Sequence, residues 1–170
     1  MSALPATGFA PGEVTQLGPQ TVPYADLGNL WLEVPSLGLQ MPIVGVPQAN
    51  GDWDISWLGT NAGWLEGSAY PTWAGNSVLT GHVWNADNTP GPFARLNQLW
   101  YGNRIIVHAF GQEYVYEVRS IRRIQPDGAN AVFQHEDLPW LTLLTCNSYS
   151  QDTGSYRYRL IVRAVQVEVR

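Results

Sequence analysis

No lysine occurs anywhere in the 170 residues. All nine basic residues are Arg, set against fourteen acidic ones, and the formal net charge is −5. Phosphate recognition needs clustered positive charge, so this balance argues against nucleic acid as a partner. Charged residues make up only 14% of the chain, against a usual quarter. A single Cys, Cys146, excludes an internal disulfide and any multi-cysteine metal site. No apolar run approaches the length of a membrane span. What is present in quantity is 17 Gly and 12 Pro, which exclude long helices, and 45% hydrophobic residues, enough for one domain with a real core.

Residues 1–28 are dense in Gly and Pro and lack apolar periodicity, so they read as a flexible N-terminal arm, with the folded domain over 29–170. Met1-Ser2 running into a spacer-like stretch reads as the start of a truncated chain whose membrane anchor lay upstream. From Trp31 onward, short apolar runs alternate with turn signals. Leu30–Val34, Met41–Val46, Ser77–Thr80, Arg104–Phe110, Glu113–Ile121, Trp140–Cys146 and Tyr158–Val169 are the strands expected. Phe110 to Glu113 reads as a hairpin turn. Short helices are expected after Asn61 (NAGWLEGS) and after Pro92 (PFARLNQLW). Seven or more strands without a long helix predict a mainly β fold, a closed or nearly closed barrel or a sandwich.

The chemistry centres on Cys146, placed where a strand is expected to run into the polar stretch NSYSQDTGS. A thiol nucleophile needs a base or cation nearby. His82 follows a strand and a Gly and opens a loop, a position suited to a reactive group, whereas His108 lies inside a strand and His135 in a surface loop. Arg159 lies 13 residues after Cys146, at the start of the last strand. If the two strands pair antiparallel, it stands beside the thiol. Arg157 and Arg163 share its side-chain parity, and geometry alone does not choose among the three.

These residues carry a resemblance. TLLTC at 142–146 resembles the TLxTC signature of the sortase family, and RLIVRA at 159–164 resembles the Arg-bearing strand that follows it. SVLTGH at 77–82 is similar to the segment that holds the family's His, and PGPFARLNQLWYGNRIIV looks like its short helix and next strand. The PGPFARL wording looks closer to the class D, E or F enzymes than to class B. The resemblance implies a closed eight-stranded β-barrel with one or two short helices, acting as a cysteine transpeptidase at the extracellular face of the bacterial membrane. It implies Cys146 as nucleophile, His82 as general acid/base, Arg159 as ligand of a substrate carbonyl or oxyanion, and Thr145 as part of the oxyanion site. The loop from about Ile121 to Pro139 corresponds to the family's specificity segment. The implied partners are sorting-signal peptides of secreted surface proteins and an amine acceptor of cell wall or pilin. No cofactor or metal is implied. Asp52, Asp54 and Glu66 are acids of the type that bind Ca²⁺ in some class A relatives, but acidic pairs in loops are mostly just solvated.

A second signal sits in the arm. Leu4, Pro5, Ala6, Thr7 and Gly8 spell LPATG, a full match to the LPxTG sorting motif that sortases cut between Thr and Gly. Average residue usage gives such a match by chance in roughly one chain of this length in several hundred. The motif therefore reads as a tethered pseudo-substrate or a self-cleavage site, against a linker that spells it by accident. The alternatives to a transpeptidase are a cysteine endopeptidase that hydrolyses the same motif and a non-catalytic peptide-binding barrel.

Overall fold

The structure, a computed structural model, describes residues 4–170. The Met1-Ser2 start lies outside the described residues. Ten strands follow in order: β1 Ala25–Val34, β2 Leu39–Val46, β3 Gln48–Ala49, β4 Asp52–Trp53, β5 Ala62–Leu65, β6 Gly75–Thr80, β7 Arg104–Ala109, β8 Gln112–Ile124, β9 Pro139–Ser150 and β10 Ser155–Val169. Eight of them close a barrel in the order β1-β2-β5-β6-β9-β10-β8-β7, and β3 pairs with β4 apart from it. Closure leaves no unpaired edge, which is how a chain of short strands avoids sticky termini. One helical turn, α1 Ala129–Val132, and two 3-10 turns, Pro35–Leu37 and Leu96–Gln98, complete the secondary structure of the described residues. None is long and apolar enough to cross a membrane.

Two corrections to the expected elements have physical causes. Residues of NAGWLEGS form strand β5, not a helix, parallel to β2 and antiparallel to β6. β2 and β6 offer this segment waiting ladders on both sides, which a short isolated helical turn does not match. Gly63 fits there because a Cβ would stand 2.8 Å from Val46 Cγ2 and 2.9 Å from Leu58 Cδ2. PFARLNQLW likewise contains only turns and the 3-10 segment Leu96–Gln98. The hairpin after β7 is a two-residue turn, with Ala109 paired to Gln112 and both Phe110 (φ 56°) and Gly111 (φ 70°) left-handed, as a type I′ turn demands.

β6, β9 and β10 are buried on both faces, which explains their near-continuous apolar runs. One face (Leu79, Leu141, Leu143, Leu160, Val162) fills the barrel with Leu32, Ile105, Tyr116 and others. The opposite face (Val78, Leu144, Ile161) carries a second cluster with Val46, Ile55, Leu58, Leu65 and Val132, and with Leu4 of the arm. A trough therefore runs along the outside of β6-β9-β10, between the 46–58 segment and the α1 loop. Asn76 helps hold that loop in place, donating to the Val132 carbonyl at 2.6 Å and accepting from Thr142 Oγ1 at 2.7 Å.

Candidate active site

Strand register assembles the site. β6 and β9 run parallel, with Thr80 paired to Leu144, and His82 and Cys146 each lie two residues beyond that last pair on the trough face. β10 runs antiparallel to β9 and places Arg159 directly opposite Cys146. Cys146 was expected to end its strand. It does not: β9 continues to Ser150, paired only with β10, so its tail needs no apolar face and reads as polar loop in the sequence. All three side chains are buried, with Cys146 and His82 each 1% exposed and Arg159 6%.

His82 is held from both sides. Its backbone carbonyl accepts from Phe93 N at 3.0 Å, and a Cβ on Gly91 would lie 2.0 Å from that oxygen, so only Gly lets the returning loop pass. Its Nε2 lies 2.9 Å from the Ile55 carbonyl oxygen. A carbonyl can only accept, so Nε2 carries the hydrogen and Nδ1 keeps a bare lone pair. Nδ1 is buried and has no partner among the described residues. Burial pulls the His82 pKa below its ordinary 6.5, with the Ile55 bond opposing, so the ring is neutral at pH 7 and able to take a proton.

Burial pushes the Cys146 thiol above its ordinary 9.0, while Arg159 and the hydrogen bonds from Thr7 pull the other way. Arg159 Nη1 donates to the carbonyls of Tyr156 (3.4 Å) and Tyr158 (3.2 Å), which aim the guanidinium along the trough. Thr145 Oγ1 donates to the Gly81 carbonyl at 2.8 Å, tying β9 to the loop that bears His82.

The LPATG segment lies in this trough. Leu4 is buried in the outer cluster, and its N donates to the Pro126 carbonyl at 2.8 Å, on the loop expected to shape specificity. Arg159 Nε donates to the Pro5 carbonyl at 3.2 Å. Thr7, fully buried, donates its backbone N–H to Cys146 Sγ at 3.1 Å, and its hydroxyl lies 3.5 Å from that of Thr145. The Thr7 carbonyl accepts from Val83 N at 2.8 Å. Gly8 passes between Val83 and Tyr156, where a Cβ would stand 2.6 Å from Val83 Cγ1 and 3.0 Å from the Tyr156 ring. Phe9 is fixed by bonds to the Trp84 carbonyl (2.9 Å) and from Tyr156 Oη (2.7 Å), with its ring centroid 5.1 Å from that of His82.

The other candidates lie elsewhere. His108 stacks on Trp31 at 3.5 Å and meets Glu33 at 2.8 Å; His135 is exposed and meets only Asp137. Arg157 is exposed, and Arg163 packs over Trp140 and pairs with Glu136 at 3.0 Å. Asp54 is occupied by the Ser56 N–H. Glu33, His108 and Glu113 form the only group of three potential metal ligands among the described residues, and Glu113 already pairs with Arg170 at 2.8 Å. Ile55, Val83, Gly91 and Tyr156 were not singled out from the sequence. The first two act through backbone groups that nearly every residue has, and the PGP wording around Gly91 was the one readable hint.

The Sortase domain family model matches residues 32–167. No curated sequence matches. Among solved structures, sortase A from Corynebacterium diphtheriae is 26% identical with a TM-score of 0.67, over 82% of this chain and 60% of that one. Sortase C-1 from Actinomyces oris is 29% identical with a TM-score of 0.66, over 82% and 73%. Streptococcus pneumoniae sortase C is 25% identical with a TM-score of 0.67, over 81% and 67%. The chain thus spans 60% of the corynebacterial protein. With a family model over most of its length and the same closed barrel, the chain belongs to the sortase family, whose members are cysteine transpeptidases.

Proposed function

We propose that the domain is a sortase transpeptidase that cuts an LPxTG-like sorting signal between Thr and Gly and passes the acyl group to an amine. The observation that carries this reading is the chain's own LPATG, seated across Cys146 with Thr7 N–H on the sulfur. Cys146 Sγ attacks the Thr carbonyl carbon, and the thiol proton passes to His82 Nδ1, the bare acceptor of a ring fixed by Ile55. The N–H of Val83 is the donor nearest the oxygen that becomes the oxyanion, and such a fixed donor contributes several kcal/mol to the transition state. His82 then protonates the departing Gly amine, leaving a thioester on Cys146 that an incoming amine resolves. Arg159 grips the signal at the carbonyl two residues before Thr, and Leu4 marks the pocket for the leading Leu. The pneumococcal sortase C is described with pilin substrate specificity. That supports cell-wall or pilin anchoring of secreted proteins, outside the membrane, as the setting for this chain.

The test is incubation with an LPATG peptide with and without glycine amide, read by product mass. An amide product supports the transpeptidase. Free acid in both mixtures points to an endopeptidase, and no covalent adduct at Cys146 points to a binding barrel.

Arg159→Lys is expected to cut kcat/KM about 100-fold, because a guanidinium holds the Pro-type carbonyl and the Tyr156 and Tyr158 carbonyls at once and an ammonium does not. Arg157→Lys and Arg163→Lys are expected to change it little. Equal losses at all three positions would make the effect a general charge and remove the assignment.

The pH dependence of kcat/KM follows from two opposite shifts. His82 sits below 6.5 and Cys146 above 9.0, so between them the pair holds one proton, the state the reaction needs. A flat profile across neutral pH is expected. Its acid limb falls below 6.5 as His82 gains a second proton, and its alkaline limb lies above 9.0. A narrow optimum between pH 6.5 and 8 would contradict these shifts.

A further inference from the structure

We propose that the arm is a substrate of its own domain, cut between Thr7 and Gly8, and that the new Gly8 amine then serves as an acceptor, so that the protein joins a donor acyl group to its own N-terminus. The proposal rests on the transpeptidase reading above.

The first half of the groove supplies the cut. Cys146 Sγ lies 3.1 Å from Thr7 N, two bonds from the carbonyl carbon it would attack, and Val83 N–H already holds that carbonyl's oxygen. The S–C bond forms, the Thr7–Gly8 C–N bond breaks, and the thiol proton moves through His82 to the Gly8 nitrogen. Water then hydrolyses the thioester and frees Cys146, releasing the piece that ends at Thr7.

The second half keeps the new amine in place. Beyond the scissile bond the arm is held by Trp84 and Tyr156 at Phe9, by Asn88 Oδ1 at Gly12 N (2.8 Å) and by the Ala86 carbonyl at Thr15 N (2.8 Å). These anchors all lie on the Gly8 side of the cut, so cleavage breaks none of them. The loop that provides most of them is itself braced, with Asn85 N donating to Thr89 at 2.8 Å and Gly91 N to Val83 at 3.0 Å. The amine that leaves a thioester and the amine that resolves it use the same approach and the same His82, by microscopic reversibility. A Gly8 amine tethered there has an effective concentration on the order of millimolar. The absence of Lys removes every side-chain amine of this chain as a competitor.

The test follows the intact mass of the full chain, alone and with an LPATG peptide blocked at its N-terminus. Alone, the mass is expected to fall to that of a chain beginning at Gly8, at a rate independent of protein concentration if the cut is in cis. With the peptide, the mass then rises by the donor acyl group, and N-terminal sequencing finds Gly8 blocked. Gly8→Ala is expected to slow clipping about tenfold or more, since its methyl meets Val83, and Val83→Ala to restore part of that loss. A chain that turns over external peptide yet stays unclipped overturns this inference and leaves the transpeptidase standing, with the arm a plug. A clipped chain whose Gly8 never acquires the acyl group overturns the acceptor half. A chain that shows neither clipping nor turnover of external peptide overturns both readings.

Discussion

Cys146→Ala is expected to abolish both cleavage and transfer, leaving no adduct with any sorting peptide, while the barrel persists. The sulfur is the chain's one thiol, and Ala offers no electron pair to the Thr carbonyl. The cost to folding is small, about 1 kcal/mol, because a small side chain replaces a small one at a position framed by β6 and β10. Turnover by product mass and a thermal melt on the same sample separate the two effects. Residual cleavage above the no-enzyme level would detach the reaction from this sulfur.

His82→Ala is expected to lower turnover by about 10²–10⁴-fold, the usual contribution of a general acid–base group. The substitution also leaves the buried Ile55 carbonyl without its donor, a penalty on stability of about 1–3 kcal/mol. His82→Gln addresses this, since a Gln amide can supply an N–H to Ile55 but has no titratable nitrogen. A similar loss of turnover in both variants assigns the effect to proton transfer. His108→Ala and His135→Ala are expected to leave turnover nearly unchanged, although His108→Ala sacrifices the Trp31 stack and the Glu33 pair. A dispensable His82 alongside an essential His135 would place the reaction elsewhere.

The parts of this protein that were legible in its sequence are those where side chains carry the information. Runs such as TLLTC announce strands covered on both faces, and Cys146, His82 and Arg159 are residue types with distinctive chemistry, although only His82 lies just past a strand end, with Cys146 and Arg159 inside β9 and β10. β5 escaped because Ala62–Leu65 is too short to show a period, and Trp, Leu and Glu suit a helix as well as a strand. The tail of β9 escaped because only one neighbour pairs with it, which demands no apolar residues. Ile55 and Val83 contribute a carbonyl and an N–H, and backbone groups leave no mark on composition. The LPATG word was visible from the start. Its seat was not, because the outer cluster that Leu4 joins is assembled from Val46, Ile55, Leu58, Leu65, Val78, Val132, Leu144 and Ile161, scattered over more than a hundred positions.

Leu4 in that cluster means the groove of the intact chain is already filled, with a leucine side chain whose burial contributes about 2 kcal/mol. A ligand that binds only the folded state raises its melting temperature by mass action, according to its concentration over its apparent Kd, and a tethered competitor raises that apparent Kd. A sorting peptide enters by pushing the arm out, so its shift stays small until its concentration outweighs the arm's effective concentration, on the order of millimolar. Thermal-shift screening of the intact chain therefore under-reports peptides that compete with the arm, relative to compounds that bind elsewhere with the same intrinsic affinity.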